Sequence, residues 1–117
     1  MLDILEEKTT IKFEEFEKIT MKTAKIMAVN DVPDSKKLLA FDLKCGDNEF
    51  QILSGIKKHY PDYSTLPGKY ITFVENLAPR TIMGKLSKGM LLTVEDTRGR
   101  VSLLFSPPEL GDNAEVL

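Results

Sequence analysis

The clearest structural signal in this chain of 117 residues lies in residues 39–54, which read LAFDLKCGDNEFQILS. Apolar side chains occupy alternate positions on both sides of a Gly-Asp-Asn turn, with Leu39, Phe41 and Leu43 before it and Phe50 after it. A period of two is typical of a strand with one buried face, and a short turn between two such runs predicts a β-hairpin. The stretch therefore indicates antiparallel β-structure.

Other segments repeat this pattern. Residues 21–29 alternate, which predicts a strand with Ala24, Ile26 and Ala28 on its core face. Residues 55–63 lose the alternation and favour a short helical turn or an ordered loop. Further strands, rich in β-branched, aromatic or leucine side chains and preceded by turn residues, are predicted over residues 70–74, 90–94 and 101–105.

Five to six short strands without βαβ spacing predict an all-β protein. The best fit is a five-stranded Greek-key OB-fold barrel with a short helix between strands 3 and 4 and with N- and C-terminal extensions. We expect one domain over residues 1–117, with its core over about 11–105 and its ends in dimer contacts. Phe13, Phe16 and Ile19 are spaced by three, which predicts a helical turn that covers the core, with Thr10 as a candidate cap.

The composition fits a soluble globular domain. Hydrophobic residues make up 42% of the chain and charged residues 29%, and no apolar run approaches the roughly 20 residues of a membrane helix. The single cysteine, Cys45, cannot form an internal disulfide, and the acidic N-terminus differs from a secretory signal. We therefore expect a cytoplasmic protein with no membrane association.

The formal net charge of −2 hides an uneven distribution. Residues 18–100 carry fourteen Lys or Arg against nine acids, which gives +5, while residues 1–17 carry −4 and residues 101–117 carry −3. Phosphate binding depends on local positive charge more than on the total. The basic middle of the chain is therefore compatible with nucleic-acid binding.

Catalytic apparatus is not visible in the sequence. His59 is the only histidine, so a zinc site would need carboxylates as most of its ligands, and none have ligand spacing. Every serine-based triad would have to recruit this same histidine, which lies in a Lys-Lys-His-Tyr run typical of a solvated surface. No glycine-rich phosphate loop is present. We expect no enzymatic activity, no metal and no cofactor.

The connection over residues 76–90 is the most informative segment, because a long non-strand loop between strands usually carries function. It offers Arg80, Lys85 and Lys88 for phosphates, Asn76 and Ser87 for directional hydrogen bonds, and Met83 or Met90 as soft surfaces for a base. In an OB barrel, the loop after the first strand and the loop before the last flank the same face. The side chains of Lys36, Lys37, Arg80 and Lys85 are therefore expected to converge.

Four motifs in this order and spacing resemble the tRNA-binding domain family. They are Lys37-Leu38-Leu39, Ser54-Gly55-Ile56, Asn76-Leu77-Ala78-Pro79-Arg80 and Ser87-x-Gly89-Met90-Leu91. The resemblance spans roughly Ile11 to Val116. The family includes C-terminal domains of methionyl-tRNA synthetases, stand-alone dimeric tRNA-binding proteins and dimeric export chaperones.

This resemblance implies an OB fold, homodimerisation outside the core barrel and recognition of tRNA by shape. By motif position it implies that the following residues contact RNA or shape that surface: Lys37, Ser54, Asn76, Arg80, Ser87 and Met90. Lys36 and Lys85, which are candidates because of their charge alone, complete the predicted set of RNA-binding residues. The chain would act as a free tRNA-binding protein or as a subunit that helps a methionyl-tRNA synthetase to hold its tRNA.

Two alternatives stay open. On the same fold, a chaperone would bind unfolded polypeptides through exposed apolar surface instead of positive charge. An interaction subunit would dock on an aminoacyl-tRNA synthetase and barely contact RNA, which the acidic ends permit. Apolar residues near the ends also exceed what a five-stranded barrel needs and are candidates for a homodimer contact: Leu2, Ile4, Leu5, Leu110, Val116 and Leu117.

Overall fold

The computed structural model describes residues 8–117, and its regular secondary structure is mainly β-strand. In chain order these are β1 Met21–Asp31, β2 Leu39–Cys45, β3 Asn48–Ser54, β4 Tyr70–Val74, β5 Arg80–Ile82, β6 Lys85–Ser87, β7 Met90–Leu91, β8 Thr93–Glu95 and β9 Val101–Leu103. A short helix, α1 Phe13–Phe16, precedes β1, and single 3-10 turns occur at Lys57–His59, Tyr63–Thr65 and Pro108–Leu110.

Five strands form one antiparallel sheet in the order β3-β2-β1-β4-β7, and this sheet curls into a nearly closed barrel. The pairs β5–β6 and β8–β9 are separate two-stranded sheets. The two 3-10 turns over residues 57–65 connect β3 to β4, where a short helical segment was predicted. The predicted all-β, OB-like barrel is confirmed.

The β2–β3 hairpin supplies much of the core, as its alternation predicts. Phe41, Leu43 and Ile52 are almost completely buried, together with Ile26 of β1 and Phe73 of β4. Burial of each such side chain contributes roughly 1.5–3 kcal/mol. The barrel is therefore built around the segment with the clearest period of two.

The core face of β1 differs from the prediction after Ile26. The register between β1 and β2 shifts between Ile26 and Ala28, so that Met27 is an extra, half-exposed residue at a β-bulge. One extra residue reverses the phase of the alternation. Val29, and not Ala28, consequently packs against the core.

The predicted strand over residues 90–94 is split at Leu92. The backbone N–H of Leu92 donates to the carbonyl oxygen of Thr72 at 3.3 Å, and its own carbonyl accepts from the N–H of Leu104 at 3.0 Å. On one side of this residue β7 pairs with β4, and on the other β8 pairs with β9. The chain therefore leaves the barrel sheet at Leu92.

Helix α1 does not cover the core, contrary to the prediction. None of its residues is buried, and Phe13 and Phe16 are 67% and 42% exposed. The helix begins after Lys12, whose backbone N–H donates to Oε1 of Glu15 at 2.9 Å, so the proposed cap at Thr10 is also wrong. Three-residue spacing predicts the helical turn but not the direction in which its apolar side faces.

The C-terminal segment extends the barrel along the edge of β1, beyond the end of β2. Thr23 exchanges backbone hydrogen bonds with Asn113 and Ala114, at 2.8 and 2.9 Å. One carboxylate oxygen of Asp112 accepts from the backbone N–H of Gly46 at 2.7 Å. The backbone of residues 111–116 thus belongs to the barrel, whereas Leu110 and the two last residues expose their side chains.

Candidate nucleic-acid interface

The segment expected to be a long loop is largely a second hairpin, formed by β5 and β6. Arg80 pairs with Ser87 and Ile82 with Lys85. Met83 and Gly84, at φ 51° and 79°, form the two-residue turn. Positive φ at both central positions is what a type I′ hairpin turn requires. The sequence signal failed here because methionine is an unusual first residue for such a turn, and no alternation of apolar residues marks these strands.

Strand alternation places Arg80, Ile82, Lys85 and Ser87 on one face of this hairpin. Ile82 packs against a small apolar cluster that includes Leu53 of β3. Ile82 and Ser87 therefore hold the hairpin against the barrel. The side chains of Arg80 and Lys85 lie on the same face of the hairpin.

Ser87 fastens the hairpin to the barrel. Its side chain is buried, and its Oγ accepts a hydrogen bond from the backbone N–H of Leu53 at 3.1 Å. Gln51 adds a bond from Nε2 to the carbonyl oxygen of Leu86 at 3.0 Å. The hydroxyl that the sequence offered for RNA thus already accepts one hydrogen bond within the fold.

An apolar cavity of about 480 Å³ opens between the end of β3, the segment before β5, and β7. Six side chains characterise it: Leu53, Leu77 and Met90, which are apolar, and Ser54, Arg80 and Ser87, which are polar. Met90 and Leu77 are 47% and 44% exposed. The predicted residues Ser54, Arg80, Ser87 and Met90 therefore lie at one site.

Gly89 shapes this cavity. Its φ is +91°, and a Cβ at this position would lie 2.8 Å from the carbonyl oxygen of Val74. Only glycine permits both the left-handed backbone and this close approach. The glycine therefore lets β7 begin directly beside β4, so that Met90 pairs with Val74 and faces the cavity.

A smaller notch of about 220 Å³ adjoins the cavity, and we call it the lysine notch. It is lined by Lys36, Lys37, Gly55 and Lys58. The backbone N–H of Lys57 donates to the carbonyl oxygen of Lys37 at 3.1 Å, which holds the two lysine pairs together. Ser54 lines the cavity and the next residue, Gly55, lines the notch, so the two concavities are close to each other along the chain.

Within the described residues, only Lys57 of the four lysines at positions 36, 37, 57 and 58 has an acidic partner. The ammonium of Lys57 pairs with Asp31 and lowers the pKa of that carboxyl through this hydrogen bond. Within residues 8–117, no ion pair involves Lys36, Lys37, Lys58, Arg80 or Lys85. Unpaired cations beside two concavities are suited to bind phosphate groups.

Two predicted residues lie outside this arrangement. Lys85 lines neither concavity, although it shares a hairpin face with Arg80. Asn76 uses its amide within the fold: Oδ1 accepts from the N–H of Thr20 at 2.8 Å, and Nδ2 donates to the carbonyl oxygen of Lys18 at 2.6 Å. It therefore anchors the segment before β1 to the barrel.

Two side chains of the site were not predicted from the sequence. Lys57 and Lys58 were treated only as part of the Lys-Lys-His-Tyr run, whereas Lys57 is paired with an acid and Lys58 lines the notch. Leu77, which was not singled out, contributes exposed apolar surface to the cavity. A signal for Leu77 was present, since an apolar residue in a loop without a strand partner is a candidate for ligand contact.

Two further kinds of feature, metal sites and membrane-spanning helices, were sought in the described part of the chain. Residues 8–117 contain no group of three or more His, Cys, Asp or Glu side chains placed to hold a metal ion. Within the same range no helix has the length and apolarity to cross a membrane.

Comparison with known proteins gives a consistent result. Residues 21–113 match the family model described as "Putative tRNA binding domain". The chain is 39% identical over 107 residues to the methionine–tRNA ligase of Enterococcus faecalis, covering 91% of this chain and 16% of the ligase. It is 48% identical over 96 residues to the Lactococcus lactis ligase, covering 80% of this chain and 14% of that enzyme. The chain thus spans about a sixth of these relatives.

Solved structures show the same barrel. A MetRS related protein from Pyrococcus horikoshii superposes with a TM-score of 0.87 at 32% identity, covering 94% of this chain and all of that one. The chaperone CsaA from Bacillus anthracis superposes with a TM-score of 0.81 at 22% identity, covering 93% of this chain and all of that one. At that identity the second similarity concerns the fold.

Proposed function

Because the chain belongs to the tRNA-binding domain family and is homologous to the C-terminal region of methionyl-tRNA synthetases, we propose that it binds folded tRNA without catalysing a reaction on it. The binding surface comprises the apolar cavity, which Arg80 of the β5–β6 hairpin lines, and the lysine notch. It acts in the cytoplasm, either as a free tRNA-binding protein or as a tRNA-binding subunit of a methionyl-tRNA synthetase.

One observation carries this proposal: four cations without an acidic partner in residues 8–117 line two adjoining concavities. These are Lys36, Lys37, Lys58 and Arg80. Four other cations in the described residues, Lys22, Lys44, Lys57 and Arg100, are each paired with a carboxylate, and the remaining ones line neither concavity. Unpaired cations release counterions from a phosphate backbone on binding, whereas cations already paired gain less.

The cations on this surface recognise the backbone of an RNA through charge and position. The lysine notch presents charge without a fixed array of donors for base edges, which suits the recognition of shape over sequence. We therefore expect the protein to bind different tRNA species with similar affinities. Asn76 and Ser87 serve this surface indirectly, since they hold the segment before β1 and the hairpin in place.

We also propose that the protein forms a homodimer. Ile11, Phe13, Phe16 and Ile19 are 42–67% exposed, and Asn76 anchors the segment that carries them. An anchored apolar surface of this kind suits a self-complementary contact with a second copy, to which Leu110 and Val116 can contribute. Leu2, Ile4 and Leu5 lie outside the described residues. Two copies would present two cationic surfaces to one large RNA and so increase avidity.

Sedimentation tests the dimer independently of RNA. The wild-type protein should sediment as a dimer at micromolar concentration, and Phe13→Glu should shift it toward the monomer because it buries a charge in the contact. Glu14→Lys, on the same exposed helix, changes charge without removing apolar surface and should stay dimeric. A wild-type monomer at this concentration would refute the dimer.

Direct binding tests the main proposal. The protein should bind several unrelated folded tRNAs with similar affinity at low salt, and it should not bind a chemically unfolded polypeptide under the same conditions. The chaperone alternative draws on the exposed apolar side chains of the cavity, and it predicts the reverse order of affinities. Binding of polypeptide but not of tRNA would replace the proposed function with the chaperone alternative.

A further inference from the structure

We propose that the apolar cavity and the lysine notch together form a site for one unpaired nucleotide of the RNA. The base enters the cavity between Leu77 and Met90, and the adjoining phosphate lies on the notch. This inference rests on the proposed function, and it names the part of the RNA that this site takes: a nucleotide whose base is not stacked in a helix.

The cavity is large enough for one base, and most of its lining side chains are apolar. Its volume of about 480 Å³ lies in the range of roughly 300–1,000 Å³ that is typical of such sites. Phosphate and ribose are too polar to benefit from Leu53, Leu77 and Met90, whereas a base offers an apolar face. Methionine is well suited to this role because its thioether is polarisable and its side chain adapts to a planar partner.

Polar groups in the cavity match the edge of a base. Ser54 contributes a hydroxyl that both donates and accepts, and Arg80, which has no acidic partner in residues 8–117, lines the same cavity and is available to the phosphate. These groups accompany apolar side chains in a single concavity. The combination supplies both a surface for the base face and hydrogen bonds for its edge.

The connection between cavity and notch favours a nucleotide over an apolar peptide side chain. Consecutive residues, Ser54 and Gly55, line the cavity and the notch, and three lysines, Lys36, Lys37 and Lys58, line the notch. In RNA, every base is linked to a phosphate through its sugar. An apolar site for the base next to a cationic site for the phosphate therefore matches the two ends of one nucleotide. An apolar peptide segment has no reason to carry an anion at this position.

Gly55 gives the phosphate access. A Cβ added there would meet no heavy atom within 4 Å, and its backbone is outside the left-handed region. Glycine is thus not needed for the fold at this position. Its effect is to leave the notch open where an RNA backbone would approach.

The site can be tested with two RNA hairpins that differ in one group. One carries a single bulged 2-aminopurine nucleotide, and the other carries an abasic nucleotide at the same position, so that length and charge are equal. We expect the first to bind about tenfold more tightly, with a change in 2-aminopurine emission on binding. Met90→Ala should abolish this preference, and Gly55→Ala should weaken binding of both hairpins while the melting curve is unchanged.

Met83→Ala is the matched control, because Met83 is similarly exposed but lies at the β5–β6 turn and does not line the cavity. It should retain the preference. Equal affinity for the two hairpins by a protein that binds tRNA would overturn the nucleotide site and leave the proposed function standing. Displacement of the 2-aminopurine hairpin by an unfolded polypeptide, without any preference over the abasic hairpin, would assign the cavity to polypeptide and overturn it as well. Failure to bind any RNA would refute both.

Discussion

The Oγ of Ser87 on β6 accepts a hydrogen bond at 3.1 Å from the backbone N–H of Leu53 on β3, and both residues are buried. Ser87→Ala would leave a buried N–H without its partner, which costs about 1–3 kcal/mol. We expect the melting temperature to fall by roughly 4–8 °C for each kcal/mol, as measured by circular dichroism.

Ser54→Ala is the control for this prediction. Ser54 lines the same cavity, but within residues 8–117 its hydroxyl makes no hydrogen bond. It should melt close to wild type. A Ser87→Ala variant that melts at the wild-type temperature would contradict the role of this hydroxyl in fastening the hairpin.

Asn76→Ala should release the segment before β1 from the barrel. The amide of Asn76 satisfies both the N–H of Thr20 and the carbonyl of Lys18, so its loss breaks both links. Hydrogen exchange should become faster over residues 12–20 and stay unchanged in β2 and β3. The exposed Asn30 on β1 gives a control, since Asn30→Ala should leave the exchange of the segment as it is.

Asp112 should make stability depend on acidic pH. The N–H of Gly46 donates to its carboxylate and, with a smaller contribution from Lys44, lowers its pKa. A lowered folded-state pKa stabilises the fold above the unfolded value of about 3.9, and this contribution is lost as the pH falls through the folded value. Asp112→Asn should therefore cost on the order of 1 kcal/mol near neutral pH.

Urea denaturation of wild type and Asp112→Asn at pH 7 and pH 3 measures this effect. The difference between the two proteins should shrink at the lower pH. Glu109→Gln changes charge by the same amount in the same segment without the contact to Gly46, and it should alter stability little. An equal difference at both pH values would count against the carboxylate as its source.

Gly89→Ala should destabilise the barrel more than Gly84→Ala. Both positions have positive φ, so both variants include backbone strain of about 1–3 kcal/mol. Only the first adds a Cβ 2.8 Å from a backbone oxygen, that of Val74, whereas the second meets no atom within 4 Å. Denaturation midpoints compare them directly, and equal losses would show that the close approach contributes nothing.

Much of the fold follows from local pattern. The β2–β3 hairpin could be predicted because every second residue of 39–45 and of the strand after the turn faces one core. The bulge at Met27 could not, since one extra residue changes the phase without changing the composition. The orientation of α1 was likewise unpredictable, because apolar spacing reads the same for a face on the core and for a face in solvent.

The position of the candidate site could be predicted better than the roles of its individual side chains. Arg80 and Met90 line the cavity, and Lys36 and Lys37 line the notch, as position along the barrel suggested. For Ser87 the sequence shows a hydroxyl but not whether a backbone N–H lies beside it. For Lys57 and Lys58, the sequence shows two adjacent lysines but not that Lys57 pairs with Asp31 while Lys58 lines the notch.

The salt dependence of tRNA binding tests the central claim most directly. For the wild type, the logarithm of affinity should fall linearly with the logarithm of salt concentration, because bound cations release counterions from phosphate. Arg80→Ala should weaken binding and reduce the slope by about one. Arg98→Ala, which removes the same charge from the β8–β9 turn and lines neither concavity, should match the wild type. A flat salt dependence, or an Arg80→Ala variant that is folded and binds tRNA with the wild-type slope, would contradict the account.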